Sequence, residues 1–241
     1  MEHPDKNDNI DQDNDHQMKT INDSWLETYQ NVGALWIHDN NPEHPHVILT
    51  SGLHSGTFFN TDRLIENPVL LERACLDLIR LLERTIDLTK VDRVVGPAMG
   101  AIIIAYNIAL NINKSQKNSK HHCLFGYTEK ENSTTSERRM TFRRFSVKPK
   151  ERVLVVEDVL TTGNSVELTC KAIEQAGGVV ENAIGILVNR SGSIHLNNRI
   201  ITSLIKHEAP QWKQSECPLC RIGSQPLKPK EIEAWSALVT K

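Results

Sequence analysis

The sequence predicts an α/β fold in which a parallel sheet is flanked by helices, with an N-terminal cap and a basic hairpin flap. Three apolar runs, 91–95, 153–156 and 179–188, read as buried strands. Small-residue turns and helical patterns follow the first two. Such alternation of strands and helices is typical of a parallel sheet with right-handed crossovers.

Composition predicts one folded domain preceded by a polar tail. The chain has 241 residues, 39% of them hydrophobic, which is enough for one good-sized core. Residues 1–20 are rich in Asp, Asn, Gln and Lys and lack the apolar centre of a signal peptide, so they predict a disordered tail. The domain, 21–241, divides into a cap at about 24–66, a core at about 67–205 and a C-terminal extension at about 206–241.

Charge and cysteine usage narrow the partners and the compartment. A net charge of -2 disfavours nucleic acid as the main partner. The longest uncharged stretch, 94–113, contains Gly and Pro, which favours a buried strand, turn and helix over a membrane span. Five cysteines, an odd number, do not indicate a disulfide framework. We therefore expect a cytoplasmic protein with no membrane partner.

Helical spacing predicts the elements that lead to the sheet. A short helix is expected over 25–36, within the cap. Asn67-Pro68 then starts a helix, because Pro is tolerated in a first turn, and its core-facing side chains are Leu70, Leu71, Ala74, Cys75, Leu78 and Leu82. After the strand at 91–95 we expect a helix to about Ile112 and another strand near 123–127.

The run 153–165 is the most informative motif of the chain. Four strand-forming aliphatic residues precede Glu157 and Asp158, and a small-residue turn, Thr161 to Ser165, then opens a helix. Backbone N–H groups and hydroxyls in such a turn bind an anion, and the helix N-terminus adds positive partial charge. The two carboxylates suit sugar hydroxyls and water-mediated Mg²⁺ instead. An ordinary strand followed by an N-capped helix is the alternative.

Two further segments are expected to join this site. The turns after Val95, Val156 and Val188 should converge, because ligands gather at the carboxyl ends of parallel strands. The turn 96–100 has glycines that let a backbone approach a pyrophosphate closely, although alone it is also compatible with a plain strand-to-helix turn.

A basic segment between Glu129 and Arg152 predicts a flap. Residues 140–142 suit a returning hairpin strand, and closure would bring guanidinium groups onto pyrophosphate while excluding water. An inert, solvated basic loop is the alternative. The cations concerned are Lys130, Arg138, Arg139, Arg143, Arg144, Lys148, Lys150 and Arg152.

Cys217 and Cys220 have the spacing of a zinc knuckle. No second such pair follows, and His195 and His207 are the nearby candidates to complete a site. Whether these cysteines bind zinc stays open at this stage.

Several motifs together resemble one family. The 153–165 run is similar to the phosphoribosyl pyrophosphate (PRPP) signature of type I phosphoribosyltransferases. The segment 49–60, with its Ser-Gly pairs and Phe58-Phe59-Asn60, resembles the base-binding segment of the orotate phosphoribosyltransferases. With Gly96-Pro97-Ala98, Val188-Asn189-Arg190 and Cys217-Pro218-Leu219-Cys220, the resemblance extends from about Leu49 to Pro229.

The resemblance implies the type I phosphoribosyltransferase fold and transfer of phosphoribose from PRPP to orotate in pyrimidine (UMP) biosynthesis, by a homodimer whose flap closes on the neighbouring subunit. It implies Mg²⁺, held mainly by PRPP with no direct protein ligand and through water to Asp158. Orotate would contact Thr161, Arg190, Phe58 and Phe59, with an ordinary surface role for Arg190 as the alternative. The implied PRPP-binding residues are Glu157, Asp158, Val159, Leu160, Thr161, Thr162, Gly163, Asn164 and Ser165.

Catalysis in such an enzyme would rest on charge stabilisation without a protein nucleophile. We expect Asp158 and Glu157 near the ribose, and Lys130, Arg143 and Arg144 on the pyrophosphate. The chain departs from the family pattern at Thr50, where many members carry Lys.

Two other functions stay open at this point. The acceptor base could be uracil or a purine, because fewer residues specify the acceptor than the phosphate loop. The chain could also be a PRPP-sensing regulator without catalysis.

Overall fold

We analysed a computed structural model of the full chain, which describes residues 6–49, 51–116, 121–131 and 139–229 and, within 6–17, the helical backbone only. The helices are α1 (Lys6–Asn31), α2 (Asp62–Ile65), α3 (Pro68–Leu82), α4 (Ala101–Ser115), α5 (Asn164–Gln175) and α6 (Pro218–Arg221). Short 3-10 turns lie at Leu88–Lys90 and Gln214–Glu216. The strands are β1 (Leu35–Ile37), β2 (His46–Ile48), β3 (His54–Ser55), β4 (Thr57–Phe59), β5 (Arg93–Pro97), β6 (Leu124–Lys130), β7 (Met140–Thr141), β8 (Arg152–Leu160), β9 (Val179–Asn189), β10 (His195–Leu196), β11 (Arg199–Lys206), β12 (Gln211–Trp212) and β13 (Pro226–Leu227).

A seven-stranded sheet forms the centre of the molecule, in the order β10-β11-β9-β8-β5-β6-β7. The five inner strands run parallel, and the edge strands β10 and β7 are antiparallel to their neighbours. Strand β8 lies in the middle, paired with β9 on one side and β5 on the other. The predicted parallel sheet flanked by helices is confirmed, and so is the antiparallel hairpin at the base of the flap.

Alternation along β8 builds a core on each face of the sheet. Leu154 and Val156 belong to the larger cluster, which packs under α1, α3 and α4. Val153 and Val155 belong to the cluster under α5. Adjacent strand residues point to opposite faces, so one uninterrupted aliphatic run supplies both cores.

The helix predicted at Asn67-Pro68 forms as expected. The Asn67 side chain accepts hydrogen bonds from the backbone N–H groups of Val69 and Leu70, and Pro68 occupies the first turn. The apolar face predicted from the spacing is buried, except that Leu70 is only partly buried. Local sequence therefore determines both the start and the inward face of α3.

A second, four-stranded sheet, β12-β3-β2-β13, covers one end of the main sheet. We call this sheet, together with the two-stranded antiparallel sheet of β1 and β4, the hood. Strand β13 pairs with β2 and β12 pairs with β3, so the C-terminal extension and the N-terminal cap share one sheet. Its own apolar cluster is small, with Trp36 and Val47 buried against a few partly buried side chains.

The N-terminal prediction needs correction. Helix α1 begins at Lys6, inside the segment predicted as a disordered tail, and ends at Asn31. The short helix expected over 25–36 is therefore the end of a longer helix, and its last residues form β1 instead. Trp25 and Tyr29 on α1 are buried in the larger core, which explains why the helix is held there.

Some expectations fall on residues that the structure does not describe: Thr50, the flap tip at 132–138, which includes Arg138, and the end of the C-terminal extension at 230–241. Within the described ranges, no helix combines the length and the apolarity needed to cross a bilayer.

A buried ion pair between β5 and the start of β8 predicts a measurable stability effect. Arg93 Nε donates to Glu151 Oε1 at 2.9 Å, and both side chains are almost fully buried. Replacing Arg93 by Met leaves the Glu151 carboxylate buried without its cation, which should lower the free energy of unfolding by about 3–5 kcal/mol in urea titrations. The double variant R93M/E151L should recover most of that loss.

The control is the exposed pair Lys114–Glu72, whose removal by Lys114→Met should change the same free energy little. Equal losses for the buried and the exposed pair would contradict the expectation.

Candidate active site

The predicted phosphate loop follows β8 directly and leads into α5. Thr161 and Thr162 are exposed, and Gly163 occupies the position before the helix with φ +79°. A Cβ on Gly163 would lie 2.5 Å from Leu196 Cδ1. Both this lack of space and the positive φ exclude a side chain at this position. Gly163, the N-cap residue of α5, has no side chain to accept from the first backbone N–H groups of the helix, which leaves them as donors for an anion.

The two carboxylates of the motif lie inside the strand, two to three residues before its end. Glu157 is buried, and burial raises its pKa well above the ordinary range; the neighbouring Asp158 raises it further, whereas the Lys130 ammonium lowers it. Asp158 is half-buried and accepts a hydrogen bond from the Val159 N–H at 2.8 Å. Glu157 is thus a buried acid that favours its protonated form, whereas Asp158 is a more accessible carboxylate.

The glycine-containing turn after β5 packs against Asp158. A Cβ built on Gly100 would overlap the Asp158 carboxylate, so only glycine permits this approach. Gly96 similarly has no room for a Cβ beside Ala101. The Ala98–Met99 peptide in this turn is cis. The turns after β5 and β8 therefore converge, as the parallel topology predicts.

A cavity of about 680 Å³ opens between the end of β8 and the hood. Its wall joins the predicted base-binding segment to the predicted PRPP loop. The lining residues are Leu49, Ser51, Phe58, Phe59, Asn60, Thr61, Asp62, Arg63, Glu66, Asp158, Val159, Thr161, Thr162, Arg190, Gln211 and Pro229.

Arg190 supplies a buried positive charge to this cavity. Its backbone N–H donates to Leu160 O at 2.8 Å, and its Nη2 donates to Thr57 O at 3.1 Å. Nε is buried and has no hydrogen-bond partner, and no carboxylate pairs with the guanidinium, among the residues that the structure describes. Burial lowers the pKa of Arg190 to about 10, so it remains a cation at neutral pH. A buried cation without a counter-charge favours an anion in the adjoining space.

The two phenylalanines predicted to line the base pocket differ in their surroundings. Phe58 is half-buried, whereas Phe59 is nearly inaccessible and makes edge contacts with Tyr29 and His207. Burial, and then the charge of Arg190, lowers the pKa of His207. Phe58 thus offers a surface to a planar ligand, and Phe59 anchors the wall in the core.

Not every predicted PRPP residue faces this cavity. Glu157 and the Leu160 side chain are buried, the latter in the core under α5, and Gly163, Asn164 and Ser165 lie where α5 begins. The sequence also missed the cavity residues Asp62, Arg63 and Gln211. Gln211 reaches the site through the pairing of β12 with β3, a long-range contact that no local pattern indicates.

The flap residues are only partly brought to the site. Lys130 pairs with Met140 across the hairpin, and its charge acts on Glu157. Arg143 and Arg144 are exposed after β7 and do not line the cavity. The tip, at 132–138, lies outside the described residues.

The two candidate partners for the cysteine pair are wrong. His195 is exposed on β10, and His207 packs against Phe59. Cys217 and Cys220 instead face His46 and His54 in the hood.

The raised pKa of Glu157 predicts a pH-dependent effect of its removal. The folded protein holds this proton more tightly than the unfolded chain, whose carboxyl titrates near about 4.3, so the side chain's contribution to stability is lost as pH rises. Glu157→Gln removes that loss. Its free energy of unfolding should exceed that of the unmodified protein at pH 8, and the difference should narrow toward about pH 5.

Denaturant titrations over this pH range measure the difference. Glu43→Gln, which changes an exposed carboxylate, is the matched control and should show no such trend. An offset for Glu157→Gln that stays constant with pH would contradict the assignment of the raised pKa.

Comparisons with known proteins agree with this geometry. The profile of the phosphoribosyl transferase domain family matches residues 69–216. An orotate phosphoribosyltransferase from Pelotomaculum thermopropionicum is 36% identical over 186 residues, 76% of this chain and 87% of that protein. One from Acidithiobacillus ferrooxidans is 33% identical over 205 residues, 84% of this chain and 96% of that protein.

A solved structure shows the same fold. The crystal structure of orotate phosphoribosyltransferase from Aeropyrum pernix matches with a TM-score of 0.54 at 24% identity, covering 75% of this chain and 92% of that chain. The family profile and the two relatives, each matched over most of its length, show that this chain belongs to the phosphoribosyl transferase family and, within it, to the orotate phosphoribosyltransferases.

Proposed function

We propose that this protein transfers the phosphoribosyl group of PRPP to orotate, giving orotidine 5-phosphate and pyrophosphate in UMP biosynthesis. The observation that carries the proposal is one cavity whose wall holds the buried cation Arg190, which no described carboxylate neutralises, beside the carboxylate of Asp158 and the loop Thr161–Thr162. One end of the cavity therefore suits an anionic acceptor, and the other suits a sugar phosphate.

The acceptor end matches orotate by charge and shape. Orotate is a planar pyrimidine with a carboxylate, and a guanidinium binds a carboxylate through two parallel N–H donors. The main chain of Thr57 holds Arg190 in place, and no carboxylate of the described residues pairs with its guanidinium, so its positive charge is left for the ligand. Phe58 supplies an apolar surface for the ring. Uracil lacks the carboxylate and would leave this cation uncompensated.

The donor end matches a ribose 5-phosphate. Open N–H groups at the N-terminus of α5, together with the hydroxyls of Thr161 and Thr162, suit the phosphate. Asp158 lies within β8, just before this loop, where its oxygens accept from ribose hydroxyls and stabilise positive charge that develops on the sugar as pyrophosphate leaves. No protein nucleophile is needed for such a displacement.

Mg²⁺ belongs to this proposal as a partner of PRPP. The donor set fits a hard cation, because Asp158 presents carboxylate oxygen to the cavity, and Glu157 is buried and favours its proton. When bound, Mg²⁺ would neutralise charge on the pyrophosphate oxygens. Asp158 would hold it through water.

The flap cations complete the proposed site. Lys130 acts on Glu157 from the base of the hairpin, which places a positive charge beside the acidic pair. Arg143 and Arg144 remain exposed after β7, positioned to reach pyrophosphate only when the flap changes position. Closure across a dimer interface would supply them from the neighbouring subunit.

A homodimer is supported by an apolar surface on α4. Ile103, Tyr106 and Leu110 are exposed on one helical face, and Leu124 is exposed at the start of β6. Large apolar side chains grouped on a surface are typical of protein interfaces. We include dimerisation, and function in the cytoplasm where nucleotides are made, in the proposal.

The experiment that tests the function is PRPP- and Mg²⁺-dependent nucleotide formation with orotate, run beside uracil, hypoxanthine and adenine. Product with orotate alone is the expected result. Product with a different base, or PRPP binding without product from any base, would overturn the proposal.

Arg190 should determine the preference for orotate. Arg190→Ala removes hydrogen bonds to a charged carboxylate, so kcat/KM for orotate should fall about 10- to 100-fold while PRPP affinity changes little. Arg63→Ala, in the same cavity, is the control; Arg63 already pairs with Glu66 at 3.1 Å, and its loss should cost less. An equal effect of both variants would argue against carboxylate recognition by Arg190.

Asp158 should act on turnover rather than on stability. Asp158→Asn retains the Oδ1 acceptor that receives the Val159 N–H but removes the charge, so kcat should fall on the order of 100-fold. Thermal unfolding should be nearly unchanged. Asp62→Asn, an exposed carboxylate on the cavity wall, is the matched control with an expected smaller loss. Unaltered kinetics in a folded Asp158 variant would contradict the role.

A further inference from the structure

Four metal-ligating side chains meet in the hood, outside the cavity described above. His46, His54, Cys217 and Cys220 each offer one donor atom, and these four atoms lie within 4.8 Å of one another. His46, His54 and Cys217 are almost completely buried, and Cys220 is half-buried. The two histidines and the two cysteines come from distant parts of the chain, because His46 and Cys217 are separated by 171 positions.

We propose that these four residues form a structural zinc site that fastens the C-terminal extension to the N-terminal cap. Two thiolates and two imidazoles in a closed, buried cluster are a ligand set typical of structural Zn²⁺. The proposal goes beyond phosphoribosyl transfer and does not depend on it.

The separations between donor atoms fit a tetrahedral ion. With Zn–S about 2.3 Å and Zn–N about 2.0–2.1 Å, sulfur and nitrogen ligands lie about 3.6 Å apart. The distances from His46 Nε2 to Cys217 Sγ and Cys220 Sγ are 3.7 and 3.4 Å, and His54 Nδ1 lies 3.4 Å from Cys220 Sγ. The two nitrogens are 2.8 Å apart and would separate by about 0.5 Å around the ion.

Hydrogen bonding alone does not explain this convergence. His46 Nε2 has one in-plane lone pair, yet His54 Nδ1 and both sulfur atoms approach it. One lone pair accepts one hydrogen bond, so the other contacts would be left without a matched donor and acceptor. An ion at the centre binds all four donors at once.

The surrounding hydrogen bonds orient His46 as a ligand. Ser224 Oγ donates its single proton to His44 O at 2.7 Å, so it must accept from His46 Nδ1–H, which lies 2.9 Å away. Nε2 then carries the lone pair and points at the cluster. Metal-binding histidines are fixed in this way by a partner on the other ring nitrogen.

The site also explains how a hood with few buried apolar residues is held together. Its apolar cluster has only Trp36 and Val47 buried among the described residues. A metal linking β2 and β3 to the turn at α6 stabilises such a small unit where a core does not. His54 directly precedes Ser55, whose Oγ lies 3.5 Å from Arg190 Nη2, so the site also positions the acceptor wall.

The first measurement is the metal content of the reduced protein, purified without a metal-affinity tag or chelator. Elemental analysis should find about one zinc per chain. Cys217→Ser and Cys220→Ser should lose it, whereas Cys170→Ser, a buried cysteine on α5, should retain it. Iron in place of zinc, a Cys217–Cys220 disulfide, or a protein free of metal that takes up neither Zn²⁺ nor Co²⁺ would each overturn the proposal.

Two measurements on the unmodified chain do not depend on whether the variants fold. Replacement of zinc by Co²⁺ should give the intense visible absorption of a tetrahedral thiolate site, and weak octahedral bands would contradict it. Chelation should lower the thermal midpoint, and Zn²⁺ should restore it where Mg²⁺ does not. Restoration by Mg²⁺ alone would assign the effect to another site and overturn the proposal. These readouts are independent of catalysis, so failure of the proposed activity would not affect them.

Discussion

The site depends on the buried guanidinium of Arg190, which no carboxylate in the described part of the chain neutralises. Strand β9 brings Arg190 to the end of the sheet, the Leu160 carbonyl fixes its main chain, and the hood covers it through Thr57. Desolvating a cation in this way is unfavourable unless an anion later shares the space. The protein therefore keeps a buried positive charge in the wall of its cavity, which favours an anionic ligand there.

The parallel sheet places the remaining groups around that charge. Strands β5, β8 and β9 are neighbours with the same direction, so the turns that follow them leave the sheet at one edge. Close approach of the first turn to Asp158 requires Gly100. Burial then separates the two carboxylates, because Glu157 is held in the strand with a raised pKa while Asp158 faces the cavity. The two adjacent carboxyl groups, Glu157 and Asp158, thereby differ in protonation and in access to the cavity.

Local patterns predict the parts of the fold that local physics determines. The Asn67 cap, the apolar face of α3 and the succession of β8, loop and α5 follow from spacing and turn chemistry, and the structure has them. The long helix α1 was missed because its N-terminal half is polar, while its C-terminal part is held by tertiary burial of Trp25 and Tyr29. Intrinsic helix propensity does not reflect the burial of Trp25 and Tyr29 against the rest of the fold.

The strand pairings of the hood could not be predicted from the sequence. Pairing of β13 with β2 and of β12 with β3 joins segments from opposite ends of the chain, and no local period encodes such pairings. The same pairings bring His46 and His54 to Cys217 and Cys220, so the nearby histidines His195 and His207 were the wrong candidates. The role of each flap cation likewise depends on geometry that spacing does not contain.

The sheet that the cap and the C-terminal extension share affects the order in which the chain folds during synthesis. All strands of the main sheet have left the ribosome once residue 206 has emerged, but β2 and β3 receive their outer partners only after residues 211–227 follow. Pairing across such sequence distances is slow and comes late. A nascent chain thus completes the main sheet with Asp158 and the loop after β8 first, and the cavity under the hood closes only when residues 211–227 pair with β2 and β3.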